Sequence, residues 1–119
     1  MPIAHWQARI ALPTLHGKAL FTVEDVKGQC AGKQGCATGE PAGGAELHPV
    51  QQAVVEGQGF QCAFCMPGFV MATVGYLKTN PNPTREQLAH GISGNICRCA
   101  DYNKILDVMM HAAELSRGA

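Results

Sequence analysis

The sequence has few charged side chains. They make up 15% of the 119 residues, against about 25% in typical soluble domains. Nine basic and nine acidic residues give a formal net charge of zero, and the basic residues form no run. Since nucleic-acid binding depends on clustered Lys and Arg side chains, we do not expect it here. The shortage of charge also predicts that a partner covers part of the surface.

Long apolar runs are missing as well. Polar residues and prolines interrupt the first 20 positions, so no apolar run of signal-peptide length is present. No stretch approaches the roughly 18 apolar residues that span a membrane. We therefore expect a soluble protein without direct membrane insertion. Its expected location is the cytoplasm, or the periplasm if a partner with its own export signal carries it there.

Signatures of independent catalysis are also absent. No nucleophile-and-base pair stands out, and the glycines near position 43 follow no predicted strand and match no phosphate-binding motif. We expect no substrate catalysis by this chain alone.

The chain changes character near position 47. Residues 27–46 contain six glycines and one proline without a periodic apolar pattern, which is typical of a linker. Two short strand-like segments precede it, at 8–12 and 19–23, and two strands are too few to form a stable sheet. The sequence thus divides into an N-terminal extension with a glycine-rich linker, residues 1–46, and a helical domain, residues 47–119.

Helical signals dominate the second part. Pro49 suits the first position of a helix and Gly57 its end. Thr84 and Gln87 form a capping-box pair, which predicts the start of another helix. Apolar residues recur at helical spacing in four segments, which we expect to run over about 49–57, 67–79, 84–94 and 103–116. The prediction is a mainly α fold, a small four-helix bundle.

Four of the six cysteines fall into two close pairs. Cys62 and Cys65 form a C-x2-C pair, and Cys97 and Cys99 form a C-x-C pair. Without a secretion signal, such cysteines indicate metal or redox chemistry more than disulfides. The short spacing lets each pair turn both sulfurs toward one side of a small inorganic cluster, and four thiolates are the usual complement of a 2Fe-2S cluster.

Each cysteine pair lies just before a predicted helix. Free backbone amides and the positive end of the helix dipole favour thiolate and anionic cluster charge at such positions. Spacing alone leaves a structural zinc site equally open, because two cysteine pairs are also its common signature. A C-x-C pair in a helical setting fits zinc ribbons poorly. A third alternative is a truncated or defective relative that folds without metal.

Three longer runs carry a family resemblance. The runs GFQCAFCMPG at 59–68, NPNPT at 80–84 and GNICRC at 94–99, followed by Tyr102, resemble the helical 2Fe-2S domain of molybdenum hydroxylases. This group includes xanthine oxidase, aldehyde oxidoreductase and carbon monoxide dehydrogenase. The run LHPVQ at 47–51 is similar to the first helix of that domain. The likeness covers about residues 47–115 and implies one 2Fe-2S cluster on four ligands, Cys62, Cys65, Cys97 and Cys99.

The resemblance also implies a function. It indicates an electron-transfer iron-sulfur subunit of a molybdenum-cofactor oxidoreductase of the aldehyde or xanthine dehydrogenase type. The partner would be a large molybdenum-pterin subunit, with a flavin or cytochrome subunit as a possible acceptor. In the family, the positions of Gln61 and Cys99 lie toward the pterin. The alternative from a different class is a zinc-stabilised protein-interaction module without a redox role.

The N-terminal part departs from the family pattern. Relatives carry a ferredoxin-like domain there with cysteines spaced about C-x4-C-x2-C and a distant fourth. This chain has only Cys30 and Cys36, spaced C-x5-C. We interpret residues 1–26 as a remnant of a ferredoxin-like β-grasp domain without its cluster. Cys30 and Cys36 are expected to be free or incidentally paired thiols; the alternative is a second metal site completed by His5, His16 or a partner chain.

Overall fold

The fold is a small bundle of four helices. The computed structural model describes residues 22–24, 26 and 47–118. Within these residues no β-strand occurs, and the helices are α1 (Pro49–Gly57), α2 (Met66–Thr79), α3 (Arg85–Gly91) and α4 (Tyr102–Gly118). The mainly α prediction and the order of the four helices are confirmed. None of the described helices is long and apolar enough to cross a lipid bilayer.

Helix α1 begins at a reciprocal cap. The backbone N–H of Val50 donates to Nδ1 of His48 at 3.2 Å, and the N–H of His48 donates to Oε1 of Gln51 at 3.1 Å. This arrangement satisfies amides that the first turn would otherwise leave unpaired. The helix stops where Gln58 takes a left-handed conformation, with φ of 45°. His48 is thus the N-terminal cap of α1.

Helix α3 begins as predicted and ends early. The N–H of Gln87 donates to Oγ1 of Thr84, and the N–H of Thr84 donates to Oε1 of Gln87. We expected the helix to continue to about residue 94, but it ends at Gly91. Two polar side chains bind carbonyls at the end of the helix and just beyond it: Ser93 Oγ donates to His90 O at 2.7 Å, and Asn95 Nδ2 donates to Ile92 O at 3.2 Å. These bonds replace the next helical turn.

The core lies between α4 and the other helices. Helix α4 packs on α1 and α3, and α2 packs on α1 and α3. The buried apolar side chains come from all four helices and include Val50, Ala53, Val54, Val70, Val74, Leu77, Leu88, Ile92, Ile105, Val108, Met109 and Ala112. Lys104, Asp107 and Glu114 of α4 are exposed to solvent.

A short part of the N-terminal extension contacts the bundle. Gln51 Nε2 donates to the backbone carbonyl of Val23 at 2.9 Å, and Val26 is fully buried in the core. Thr22 and Val23, at the end of the second predicted strand, are not in a strand. The rest of that strand, the first strand, and Cys30 and Cys36 lie outside the described residues.

Candidate metal centre

The four paired cysteines lie in two neighbouring loops. Cys62 and Cys65 belong to the loop from α1 to α2, where Cys65 directly precedes the first helical residue. Cys97 and Cys99 belong to the loop from α3 to α4, and α4 begins three residues after Cys99. Both pairs therefore precede helix N-termini, as predicted.

The first loop is held close to α4. A Cβ atom on Gly57 would lie 2.6 Å from Val108 Cγ2, and one on Gly59 would lie 2.7 Å from the same atom. Such distances are far shorter than van der Waals contact. Glycine at both positions thus lets the backbone leading to Cys62 lie directly on the helix that follows Cys99.

The thiol contacts join the two motifs rather than the members of each motif. Cys62 Sγ lies 3.6 Å from Cys99 Sγ, and the Cys65 and Cys97 thiols lie close enough for each to shift the pKa of the other. All four cysteines are free thiols, since a disulfide would need about 2.05 Å between sulfurs. Sequence spacing suggested that each motif takes one side of a cluster, whereas the geometry forms an outer pair, Cys62 with Cys99, and an inner pair, Cys65 with Cys97.

The two pairs differ in exposure. In the inner pair Cys97 is buried, with 7% of its surface accessible, and Cys65 is half-buried. In the outer pair Cys62 is exposed and Cys99 is half-buried. A group bound between them would be protected on one side and open to a partner or to solvent on the other.

Backbone amides help to lower the pKa values of two of the thiols, Cys62 and Cys97. The amide of Phe64 is the main reason that the pKa of Cys62 lies below its ordinary value. For Cys97, burial raises the pKa most strongly of any single cause, yet the Cys65 thiol and nearby amides together lower it. The contributing amides are those of Asp101, Cys99 and Ala100. Amide donors of this kind stabilise thiolate and anionic cluster charge.

The partner thiol in each pair has the opposite shift. Burial raises the pKa of Cys65 to about 11, with the Cys97 thiol adding to the effect. For Cys99 the Cys62 amide lowers the pKa, but the Cys62 side chain and burial outweigh it, so the pKa is raised. Within each contact one thiol therefore favours the thiolate and the other the protonated form. A bound cation would have to displace the remaining protons.

Left-handed residues shape both loops. Ala63 has φ of 62° and Ala100 has φ of 60°, a conformation that costs a non-glycine residue about 1–2 kcal/mol. Each follows a cysteine of the outer pair directly. The turn that each creates directs the next amides back toward sulfur, at Phe64 toward Cys62 and at Asp101 toward Cys97.

Tyr102 adds a contact that the sequence pattern did not reveal. Its hydroxyl accepts from the Cys97 N–H at 2.8 Å and donates to the Cys97 carbonyl at 3.2 Å. In the sequence this tyrosine stands out only through the family resemblance. No spacing rule predicts such a contact, because it depends on α4 turning its first side chain back over the preceding loop.

Several side chains in and next to the two cysteine motifs are exposed. Gln61 and Arg98 are exposed, as are the large apolar side chains of Phe64, at 61%, and Ile96, at 81%. Phe60 is exposed at 38%. Gln61 thus lies beside Cys62 on the accessible side of the site, where the resemblance implies contact with a partner.

The donor set fits a cluster with two metal ions better than a single ion. Among the described residues, no three Cys, His, Asp or Glu side chains are grouped so that they could hold one metal ion. Tetrahedral zinc requires four sulfurs mutually about 3.8 Å apart, from Zn–S bonds of about 2.3 Å. Two sulfur pairs, each joined by a short contact, instead match a group in which each of two irons takes two thiolates.

Comparison with known proteins agrees with this geometry. The sequence matches the 2Fe-2S binding domain family over residues 34–110. It is 38% identical to aldehyde oxidase 1 of Cavia porcellus over 108 residues, covering 88% of this chain and 7% of the relative. It is 39% identical to aldehyde oxidase 2 of Rattus norvegicus over 98 residues, covering 82% of this chain and 6% of the relative.

A shorter match is closer in sequence. Aldehyde oxidase 2 of Macaca fascicularis is 46% identical over 61 residues, which cover 51% of this chain and 4% of the relative. The chain thus spans less than a tenth of the length of these relatives. The family match includes the whole of the two cysteine loops. The chain therefore belongs to the 2Fe-2S binding domain family, the helical domain of molybdenum hydroxylases that its cysteine runs resemble.

Proposed function

We propose that the chain binds one 2Fe-2S cluster on Cys62, Cys65, Cys97 and Cys99 and transfers electrons within a molybdenum-cofactor oxidoreductase. The observation that carries this proposal is the contact of Cys62 Sγ with Cys99 Sγ at 3.6 Å, matched by the contact of Cys65 with Cys97. In the proposed site the outer pair binds one iron and the inner pair binds the other. When bound, the cluster supplies a one-electron carrier.

The protein's own groups support this role. The amides of Phe64 and Asp101 act on the Cys62 and Cys97 sulfurs, and hydrogen bonds to sulfur are among the features that set a cluster's potential. Burial of the inner pair keeps water from that side. The match of residues 34–110 to the 2Fe-2S binding domain family favours the redox role over a zinc-stabilised module.

The exposed outer pair suggests where a partner binds. Phe60, Phe64 and Ile96 are large apolar side chains exposed beside the cysteines, and exposed apolar groups of this kind are typical of protein interfaces. We propose that a molybdenum-pterin subunit or domain covers this side, with Gln61 and Cys99 toward the pterin. Electrons would then pass to a flavin or cytochrome acceptor.

Serine substitutions test the ligand set. Cys62→Ser, Cys65→Ser, Cys97→Ser and Cys99→Ser should each lose most of the cluster, because three thiolates leave one iron under-coordinated. Cys30→Ser and Cys36→Ser are the matched controls and should keep it. Iron and acid-labile sulfide analysis should give about two of each per wild-type chain. About four irons would contradict the single-cluster proposal, and a colourless zinc-containing chain would contradict the redox role.

Gln61→Ala tests the electron path in the assembled enzyme. Loss of one hydrogen bond, worth about 1 kcal/mol, should slow cluster reduction by substrate up to about tenfold. Reduction by dithionite should be unchanged, since it does not use the molybdenum route. Stopped-flow absorbance in the visible band measures both. Equal rates with substrate, at equal cluster content, would place the electron path on another side of the domain.

A further inference from the structure

Tyr102 holds both backbone polar groups of a proposed ligand. Its hydroxyl accepts from the Cys97 N–H at 2.8 Å and donates to the Cys97 carbonyl at 3.2 Å. Both distances lie within the normal range of hydrogen bonds. A side chain that bonds to the N–H and the C=O of the same residue fixes the orientation of that peptide segment on either side of its Cα atom.

The same tyrosine also contacts the helix that follows the other motif. Its ring meets the ring of Phe69 edge to face, with centroids 6.5 Å apart and an interplanar angle of 72°. The N–H of Phe69 in turn donates to the Cys65 carbonyl at 3.2 Å. A chain of contacts thus runs from Cys97 through Tyr102 and Phe69 to Cys65. It connects the two cysteines of the inner pair.

The hydrogen bond to Tyr102 removes a donor from the neighbourhood of the sulfurs. The Cys97 N–H donates to a phenolic oxygen, whereas the amides of Asp101, Cys99 and Ala100 act on the Cys97 sulfur. Amides bonded to sulfur favour the more negative, reduced form of a cluster, and so does access of water. An amide that donates to the tyrosine oxygen neither bonds to sulfur nor brings water to the cluster, so it does not favour the reduced form.

We propose that Tyr102 is a positioning residue that holds the Cys97 backbone N–H away from the cluster and thereby keeps the cluster's midpoint potential low. This proposal rests on the proposed cluster at the four cysteines. Removal of the hydroxyl frees the Cys97 N–H for sulfur or admits water in its place. Both consequences shift the potential in the positive direction.

Tyr102→Phe is the direct test, because it keeps the ring and its contact with Phe69. The sequence contains only two tyrosines, and Tyr76→Phe is the matched control. The Tyr76 hydroxyl lies 3.5 Å from Asn80 Nδ2, and its ring packs on Gly91. Redox titration of the full chain, followed in the visible band, should give a more positive potential for Tyr102→Phe and an unchanged one for Tyr76→Phe.

A second measurement does not depend on the cluster. Amide hydrogen exchange of Cys97 in the metal-free chain should be about tenfold faster in Tyr102→Phe, since one hydrogen bond is lost. In the Tyr76→Phe background Tyr102 is the only tyrosine, so incorporated 3-fluorotyrosine labels it alone. Fluorine makes the phenolic oxygen a weaker hydrogen-bond acceptor, so exchange of the Cys97 amide should again be faster than in the unlabelled chain. Because the ring stays in place, this measurement tests the proposal even if Tyr102→Phe does not fold.

The outcomes separate this proposal from the proposed function. A wild-type chain without iron and sulfide would overturn the proposed function. A wild-type chain with a full cluster and a Tyr102→Phe variant of unchanged potential would overturn the positioning role alone. Faster cluster loss without a potential shift would also overturn it, because this is what a purely structural tyrosine would produce.

Discussion

Gly68 and Asn95 join the two cysteine loops through a contact that only glycine permits. A Cβ atom on residue 68 would lie 2.6 Å from Asn95 Oδ1. Gly68 lies in the first turn of α2, three residues after Cys65, and Asn95 lies two residues before Cys97. Asn95 cannot easily move aside, because its Nδ2 donates to Ile92 O. The contact between the Gly68 backbone and the Asn95 side chain therefore helps to position the inner pair, Cys65 and Cys97.

Gly68→Ala should weaken cluster retention. The added methyl group displaces Asn95 and breaks its hydrogen bond to Ile92, at a cost of about 1–2 kcal/mol, which the higher helix propensity of alanine offsets in part. In an Asn95→Ala background the same substitution should be neutral or stabilising. Urea unfolding and iron analysis of the four chains give the coupling energy. Gly94→Ala is the control, since nothing lies within 4 Å of a Cβ there; additive effects of Gly68→Ala and Asn95→Ala would contradict the contact.

Ala63→Gly and Ala100→Gly should not destabilise the domain. Glycine adopts the left-handed conformation without the cost of about 1–2 kcal/mol that alanine has there. This gain exceeds or balances the additional entropy that glycine loses on folding, about 0.5–1 kcal/mol. Ala72→Gly within α2 is the control and should cost about 1 kcal/mol. Thermal unfolding of the cluster-loaded chains measures all three.

A substitution to a bulkier residue tests the same left-handed conformation. Ala100→Val places a β-branched residue in the left-handed region, where it is poorly tolerated, and should cause loss of the cluster. Retention of a full cluster in Ala100→Val would show that the loop adopts another conformation.

Local signals explain why much of the helical domain was predictable. Pro49 and the Thr84–Gln87 pair act within one turn of chain, so the sequence contains the whole interaction. The end of α3 was missed because Ser93 and Asn95 compete for carbonyls through side chains whose orientation the sequence does not specify. In such cases the balance between helix and turn depends on the surrounding packing.

The site was predictable in composition but not in arrangement. The four cysteines were identified from spacing, but the contact of Cys62 with Cys99 joins residues 37 positions apart and depends on how two loops meet. The left-handed Ala63 and Ala100 were not predictable, because alanine has no preference for that conformation.

Stability should fall as the pH falls below about 6.5, in part through His48. Burial, with a contribution from Lys78, lowers the pKa of His48 from 6.5 to about 4. Between these values the unfolded chain binds a proton that the folded chain does not, so stability is fully present above pH 6.5 and decreases toward pH 4. The side chain is only half-buried, and solvent screening reduces the effect to about 1–2 kcal/mol.

His48→Ser isolates this effect. Serine is a good N-cap without a titrating ring, so the variant should lose the His48 part of the pH dependence while the cysteine loops stay unchanged. Denaturant unfolding at pH 7 and at pH 5, compared between the two chains, measures the difference. Identical pH dependence in both would mean that His48 is protonated equally in the folded and unfolded states.

Thr73→Val should stabilise the bundle by about 1 kcal/mol. Thr73 is fully buried in α2, and its hydroxyl has no hydrogen-bond partner within the described part of the chain. Valine has nearly the same shape and removes the cost of burying an unpaired polar group. Thr79→Val is the control, because that hydroxyl is exposed and donates to Tyr76 O at 2.8 Å. Destabilisation by Thr73→Val would mean that the hydroxyl is paired in solution.

The hydrogen bond between Val23 and Gln51 closes a loop formed by the chain between these two residues. The Gln51 side chain holds the Val23 carbonyl, and Val26 is anchored in the core, so the glycine-rich segment 27–46 is attached to the bundle at both of its ends. The entropy cost of closing a ring grows only with the logarithm of its length, about 0.6 kcal/mol for each doubling. Insertions or deletions between Val26 and Leu47 should therefore change stability little. Because Val23 and Val26 are held on the bundle by their own contacts, such changes of length should also leave the positions of these two residues unchanged.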